Sequence, residues 1–146
     1  MSKSIVLAFD VAATPARVYE ILATTQGQSA FWTADCDVHA DHARFSFPGE
    51  ATVEVDITMQ PERLVRMNPT SGVTPGGNVA WEYELHPAKD GTTVLFREYG
   101  FPQEHSDIDL GRTAHTWAQI MDRLVSYVAT GKSQPYFPAD PPRERR

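Results

Sequence analysis

The sequence has a single cysteine, Cys36, so no disulfide can form within the chain. Basic residues are also few, because 13 Lys and Arg against 19 Asp and Glu give a formal net charge of −6. Nucleic-acid binding needs basic side chains at the phosphates, so this balance argues against a nucleic-acid partner. The apolar run of residues 5–9 ends at Asp10, which is too short for a membrane span or a signal-peptide core. We therefore predict a cytoplasmic protein with no membrane partner.

Motifs for metals, phosphates and nucleophiles are missing as well. The histidine and aspartate clusters at residues 39–42 and 105–109 fit no zinc, EF-hand or metalloprotease spacing. The glycines of residues 74–78 lack the lysine and the strand-to-helix context of a phosphate-binding loop. No Gly-x-Ser-x-Gly elbow occurs either. We expect no metal and no cofactor, and we assign no catalytic residue from these patterns.

The sequence does contain one long amphipathic segment, residues 107–130. Its apolar residues recur at steps of four and three, which places them on one side of an α-helix: Leu110, Ala114, Trp117, Met121, Leu124 and Val128. Flanking apolar residues widen this stripe, as is typical of a helix that packs on a sheet. Asp107 is the predicted N-cap, and Gly131 is the predicted stop.

Before this helix the sequence predicts one strand, two short helices and a run of antiparallel strands. Thr14 and Pro15 indicate the start of the first helix, which ends near Thr24, and Gly27 separates it from a second helix at residues 28–32. Pro69 is expected to end a strand by residue 68 and to open a loop over residues 69–78. The predicted strands are residues 4–11, 35–40, 43–47, 51–60, 63–67, 79–86 and 92–99.

This order predicts an α+β domain in which a curved antiparallel sheet wraps the C-terminal helix. An apolar cavity is expected where the sheet curves away from the helix. We predict one domain over residues 1–131, followed by a proline-rich tail over residues 132–146. Within this tail, Tyr136 and Phe137 are the residues suited to pack back on the domain.

Several short motifs carry a resemblance to a known family. They are the run of residues 14–19, Phe31-Trp32, the run of residues 61–65, the run of residues 91–94, Gly100-Phe101-Pro102, and Trp117 with Leu124, Tyr127 and Gly131 behind it. In these features the chain resembles the START-like (SRPBCC) superfamily with the helix-grip fold. Within that superfamily it resembles the family named for the activator of the heat-shock-protein-90 ATPase. The chain departs from the family pattern in two places. Residues 39–43 form a polar segment where the family has glycines. Arg66 and Asn68 stand where the family has aromatic residues.

The resemblance implies a cavity that holds a small, largely hydrophobic molecule. Some members of the superfamily are cyclases or hydrolases, and the family name implies a chaperone ATPase accessory module. We prefer ligand binding, with the two other functions as alternatives and a homodimer left open. The cavity mouth is expected near residues 69–78, and the two departures are expected to make the cavity more polar.

The candidate ligand-binding residues combine three polar side chains with aromatic ones. The family register places Glu98 on the inner face, where it would orient a ligand or act as an acid or base, whereas the opposite register exposes it to water. Arg66 faces either inward toward Glu98 or outward into a surface ladder of charges. His115 lies beside the apolar stripe, where it either meets a ligand or is simply packed or solvated. The aromatic candidates are Trp32, Phe45, Phe47, Trp81, Tyr83, Phe96 and Trp117.

Overall fold

The computed structural model of the protein describes residues 3–49, 52–71 and 79–138. Its strands are β1 (Lys3–Val11), β2 (Asp35–Val38), β3 (His42–Ser46), β4 (Val53–Gln60), β5 (Leu64–Ser71), β6 (Ala80–Ala88) and β7 (Gly91–Phe101). Its helices are α1 (Pro15–Leu22), α2 (Thr25–Phe31) and α3 (Asp107–Thr130). The strands form one antiparallel sheet in the order β1-β7-β6-β5-β4-β3-β2, so the first strand pairs with the last. The sheet curves around α3, which confirms the predicted α+β helix-grip architecture.

The long helix α3 has the bounds that its hydrophobic period predicts, but its N-cap differs. The hydroxyl of Ser106 accepts a hydrogen bond from the backbone N–H of Asp109 at 3.1 Å, so the prediction of Asp107 as the cap was wrong. Asp107 instead lies in the first turn, where its charge favours the positive end of the helix. Gly131 ends the helix with a φ of 72°, a left-handed conformation that glycine adopts without strain.

The core lies between α3 and the concave face of the sheet. The buried side chains of α3 are Trp117, Ile120, Met121 and Leu124. Opposite them, alternate residues of the central strands point inward, as the period of two requires. The fully buried members of this face are Val53, Val55, Val65, Met67, Trp81, Tyr83, Val94 and Phe96. No described helix has the length and the apolar character needed to cross a membrane.

The second helix begins earlier than the sequence predicted. Thr24 caps α2, because its hydroxyl accepts a hydrogen bond from the backbone N–H of Gly27 at 3.1 Å. Gly27 is therefore part of the helix and not a separator before it. A Cβ atom at Gly27 would lie 1.9 Å from the carbonyl oxygen of Ile21, so the close packing of α2 on the end of α1 requires glycine here.

Replacing Gly27 with alanine is expected to destabilise the protein by at least about 2 kcal/mol, because backbone atoms must move to admit the methyl group. The matched control is Gly111→Ala in α3, where nothing lies within 4 Å of an added Cβ. That substitution should stabilise the helix by roughly 0.5–1 kcal/mol. Urea unfolding followed by circular dichroism measures the free energy of unfolding of both variants. Equal effects of the two substitutions would contradict the close approach of α1 and α2.

Pro69 does not end β5, contrary to the prediction, because its surroundings tolerate a missing N–H. Among the described residues, β5 pairs with β6 as far as Met67, which lies opposite Trp81, and beyond Met67 it pairs with β4. Pro69 lies opposite Val55, next to a register shift between Glu54 and Val55. Edges and irregularities of this kind are where sheets accept proline. Of the predicted loop over residues 69–78, residues 72–78 and the mouth expected beside them lie outside the described residues.

The chain returns to the domain after α3 through residues 132–138, which we call the C-terminal strap. Its backbone forms hydrogen bonds with α2 and with the residues just after that helix. In the strap, the N–H groups of Gln134, Tyr136 and Phe137 donate to the carbonyl oxygens of Ala30, Phe31 and Trp32, respectively. In return, the N–H of Ala34 donates to the carbonyl oxygen of Phe137. The Phe137 ring contacts that of Phe47 at a centroid distance of 5.1 Å. Tyr136 and Phe137 thus pack back on the domain, as predicted.

Candidate functional site

A cavity of about 220 Å³ lies between α3, α2 and the sheet. For scale, an apolar cavity of roughly 150 Å³ can hold benzene. This space therefore has room for one aromatic ring with a short substituent. Its apolar walls are Trp32, Phe47, Trp81, Trp117, Ile120 and Phe137.

Aromatic rings dominate these walls and pack closely on one another. Trp32, at the C-terminal end of α2, contacts the rings of Phe47, Trp81 and Trp117 at centroid distances of 5.3, 5.4 and 5.4 Å. Trp81 and Trp117 are 6.2 Å apart. Such tilted and edge-on contacts are the arrangements that aromatic pairs prefer. The rings hold one another in place, so the cavity is formed without a ligand.

Glu98 provides a carboxyl group in the wall of this apolar space. It shares the inner face of β7 with Val94 and Phe96, which decides between the two registers left open by the sequence. Its side chain is buried, with 3% of the residue exposed, and Oε1 accepts a hydrogen bond from Nε1 of Trp117 at 2.9 Å. Burial raises the pKa of Glu98 to about 7, although the hydrogen bond from Trp117 opposes this rise.

Two further polar atoms are buried on β6 near this carboxyl group. Nε1 of Trp81 and the hydroxyl of Tyr83 have no hydrogen-bond partner among the described residues. Burial raises the pKa of Tyr83 far above its ordinary value, and the charge of Glu98 adds to that rise. Trp81 lines the cavity and Tyr83 does not, so of the two only Nε1 of Trp81 is placed where a bound molecule would gain a hydrogen bond.

The mouth of the cavity is lined by polar residues of α3. Thr113 and Thr116 each donate a hydroxyl hydrogen bond to the carbonyl four residues earlier, at 3.0 and 3.1 Å. Arg112 is exposed and forms no ion pair with any described residue. The site thus combines apolar walls, an internal carboxyl group and a cation at its outer edge.

Comparison with known proteins agrees with this architecture. The sequence of residues 12–129 matches the family described as activator of Hsp90 ATPase homolog 1-like protein. The chain belongs to this family. A comparison with curated protein sequences found no match.

Solved structures of related fold cover most of the chain. The Aha1 dimer from Colwellia psychrerythraea is 20% identical, with a TM-score of 0.74 over 89% of this chain and 98% of that one. Protein SSP2350 from Staphylococcus saprophyticus is 15% identical, with a TM-score of 0.75 over 90% and 96% of the two chains. MLL2253 from Mesorhizobium loti is 13% identical, with a TM-score of 0.74 over 87% and 97%. At these identities the similarity establishes the shared fold.

The structure brings together half of the residues that the sequence suggested for the site. Phe45, Tyr83 and Phe96 do not line the cavity but are fully buried in the core around it. Phe96 supports the site from behind, since its ring lies 4.6 Å from that of Trp117. The predicted residues that line the cavity are Trp32, Phe47, Trp81, Glu98 and Trp117.

Arg66, one of the two departures from the family pattern, lies on the outer face of the sheet and not in the cavity. Its neighbours Val65 and Met67 point inward and are fully buried, so alternation places Arg66 outside. There its Nε donates to Oε1 of Glu82 at 3.1 Å, and Arg97 donates to Oε2 of the same carboxylate at 3.0 Å. Arg66 is therefore removed from the candidate site, and it does not make the cavity more polar.

His115 is also removed from the candidate site. It lies two positions before Trp117, and two helical steps of 100° turn the side chain to roughly the opposite side of α3. The residue is exposed. Among the described residues, the one hydrogen-bond partner of its ring is the side chain of Gln119, at 3.2 Å. It faces solvent and not the cavity.

Five lining residues were missed by the sequence reasoning. Four of them lie on α3. Thr113 and Ile120 stand four and three positions from Trp117, so the helical period contained the information for these two. The fifth comes from the C-terminal strap, whose path no local pattern indicates. The missed residues are Arg112, Thr113, Thr116, Ile120 and Phe137. Within residues 3–49, 52–71 and 79–138, no three His, Cys, Asp or Glu side chains are grouped closely enough to hold a metal ion.

Proposed function

We propose that the protein binds a small, largely hydrophobic molecule in the cavity between the sheet and α3. The observation that carries this proposal is the space of about 220 Å³ with aromatic walls. Pockets for small molecules are typically apolar, with a few polar groups that fix orientation. Glu98 has that position here, and Nε1 of Trp81, a second wall residue, lies on the neighbouring strand.

A cyclase or hydrolase acting in the same cavity is the alternative that one observation favours. A carboxyl group with a pKa of about 7 can both take up and release a proton at neutral pH. Arg66 and His115, the two other polar candidates for the site, lie elsewhere on the domain. Binding therefore accounts for the site with fewer assumptions. The third function, a chaperone accessory module, rests on the family description alone.

Toluene tests the proposal, because it has the size of one ring and carries no charge. At roughly ten times its Kd, toluene should raise the midpoint of thermal unfolding by about 3–5 °C. Thr116→Phe fills the cavity mouth and should abolish this rise. Thr130→Phe is the matched control, because Thr130 makes the same hydroxyl bond to the carbonyl four residues earlier, outside the cavity. Circular dichroism measures the midpoints.

Native mass spectrometry of the protein purified from its own host provides a second measurement. The expected result is a bound small molecule that Thr116→Phe protein lacks and Thr130→Phe protein retains. An empty wild-type protein, together with no effect of toluene, would refute the proposal. The division into a domain over residues 1–131 and a tail over 132–146, a cytoplasmic location and a homodimer all stay predictions.

A further inference from the structure

The cavity combines two features that together select the charge of a ligand, and this inference rests on the function proposed above. The first feature is the number of aromatic rings in the walls. Trp32, Trp81 and Trp117 line the same small space, and the rings of Phe47 and Phe137 complete it. The face of an aromatic ring carries a negative electrostatic potential, strongest for tryptophan, and attracts organic cations within about 6 Å of the centroid.

The second feature is a buried carboxyl group without a cationic partner. Glu98 lies opposite Ile5 of β1 and Trp81 of β6, and its hydrogen bond comes from the neutral indole of Trp117. No lysine, arginine or histidine of the described residues comes within 4 Å of its oxygens. A buried carboxylate is normally paired, so this one lacks the cation that would stabilise its charged form.

We propose that the cavity is specific for a small organic cation, an ammonium group attached to an aromatic or similarly compact apolar body. The ammonium group would contact the tryptophan faces and the free oxygen of Glu98. The apolar body would fill the space between Ile120 and Phe137. The ligand thus supplies the positive charge that the described residues do not place beside Glu98.

Arg112 is the feature that argues for the opposite charge. It lies at the mouth and is exposed to solvent, where water and salt weaken its field. Glu98, in contrast, is surrounded by apolar walls, where an ion pair is screened much less. Among the described residues, Tyr83 on β6 interacts electrostatically with Glu98, and Arg112 on α3 lines the same cavity. The internal carboxylate therefore outweighs the external guanidinium.

Three probes of nearly equal size separate the possible charges: benzylammonium, benzyl alcohol and benzoate. Isothermal titration calorimetry at pH 8 should give benzylammonium about tenfold tighter binding than benzyl alcohol, with benzoate the weakest. In Glu98→Gln protein, benzylammonium should lose this tenfold advantage over benzyl alcohol. The amide still accepts the hydrogen bond from Trp117, and circular dichroism checks that the variant is folded.

The dependence on pH gives an independent readout. Benzylammonium stays protonated between pH 5.5 and 8 on the scale of ordinary amines, as lysine does. The affinity of the wild-type protein for benzylammonium should rise across this range as Glu98 ionises. The affinity of Glu98→Gln protein for benzylammonium should not change with pH. Arg112→Gln removes the cation at the mouth and should raise the affinity for benzylammonium. Glu104→Gln, at an exposed position outside the cavity lining, is the control and should leave that affinity unchanged.

Each contrary result has a separate meaning. Equal binding of benzyl alcohol and benzylammonium overturns the cation inference but leaves the proposed hydrophobic site intact. Tightest binding of benzoate, lost in Arg112→Gln protein, also overturns it and assigns the site to anions. Failure of all three probes, together with toluene, overturns the proposed function itself.

Discussion

Replacing Trp32 with alanine is expected to lower the free energy of unfolding by about 3–5 kcal/mol, the range for a buried tryptophan truncated to a methyl group. Only 3% of the residue is exposed. Its ring also contacts four others, since Phe45 lies 4.6 Å away in addition to Phe47, Trp81 and Trp117. The substitution would join a new void to the existing cavity and leave four rings without their common neighbour. Urea unfolding followed by circular dichroism measures the loss.

Two variants act as controls for this prediction. Trp32→Phe keeps an aromatic ring, so its free energy of unfolding should fall distinctly less than that of the alanine variant. Val6→Ala removes a side chain that is largely exposed, and it should change stability by roughly 0.5 kcal/mol or less. A loss below about 1 kcal/mol for Trp32→Ala would mean that the aromatic cluster does not hold α2 on the sheet.

Glu98→Gln is expected to make the protein more stable than the wild type at pH 8. The amide does not titrate, so this position no longer contributes to the pH dependence of stability. The folded-state pKa of Glu98 is about 7, raised by burial from an ordinary value of 4.5. Its protonated form therefore favours folding, fully so below pH 4.5, and this contribution is lost as the pH rises through 7. The stability difference between the variant and the wild type should grow by roughly 3 kcal/mol between pH 4 and pH 8.

Urea unfolding of both proteins across this range measures the difference, in which the titration of all other groups cancels. Glu104→Gln makes the same chemical change at an exposed position before α3 and should follow the wild-type curve. If Glu98→Gln also follows the wild-type curve, the carboxyl group is not buried as the structure places it. If the variant becomes less stable at pH 8, the charged form must have a partner that the described residues do not provide.

The parts of the fold that were predictable are those in which a periodic pattern decides the structure. The bounds of α3 follow from its stripe, and the inward side of β4 follows from the alternation of Val53, Val55 and Ile57 with polar residues. The hairpin between β6 and β7 follows from Asp90-Gly91. In each of these segments the local pattern and the global packing agree.

The errors occur where a long-range contact overrides a local signal. Gly27 resembles a helix breaker in sequence, but its role is the close approach to Ile21. Pro69 resembles a strand end, but it lies next to a register shift between Glu54 and Val55, an irregularity at which a sheet accepts proline. Asp107 and Ser106 are both good caps by type, and only the backbone geometry selects the serine.

The candidate site was predictable only in part, for a related reason. Alternation along β5 allowed Arg66 to face either way, and the burial of Val65 and Met67 decides the question. Glu98 was the sharpest candidate, because an acidic residue in step with Val94 and Phe96 conflicts with an apolar face unless it has a role. Phe137 was beyond prediction as a wall residue, because its position depends on backbone bonds between the strap and α2.

The three tryptophans of the chain, Trp32, Trp81 and Trp117, all line the same cavity. All indole fluorescence of the protein therefore originates at this one place. A ligand that enters changes the polarity around each of these fluorophores, so the emission spectrum reports occupancy without any attached dye.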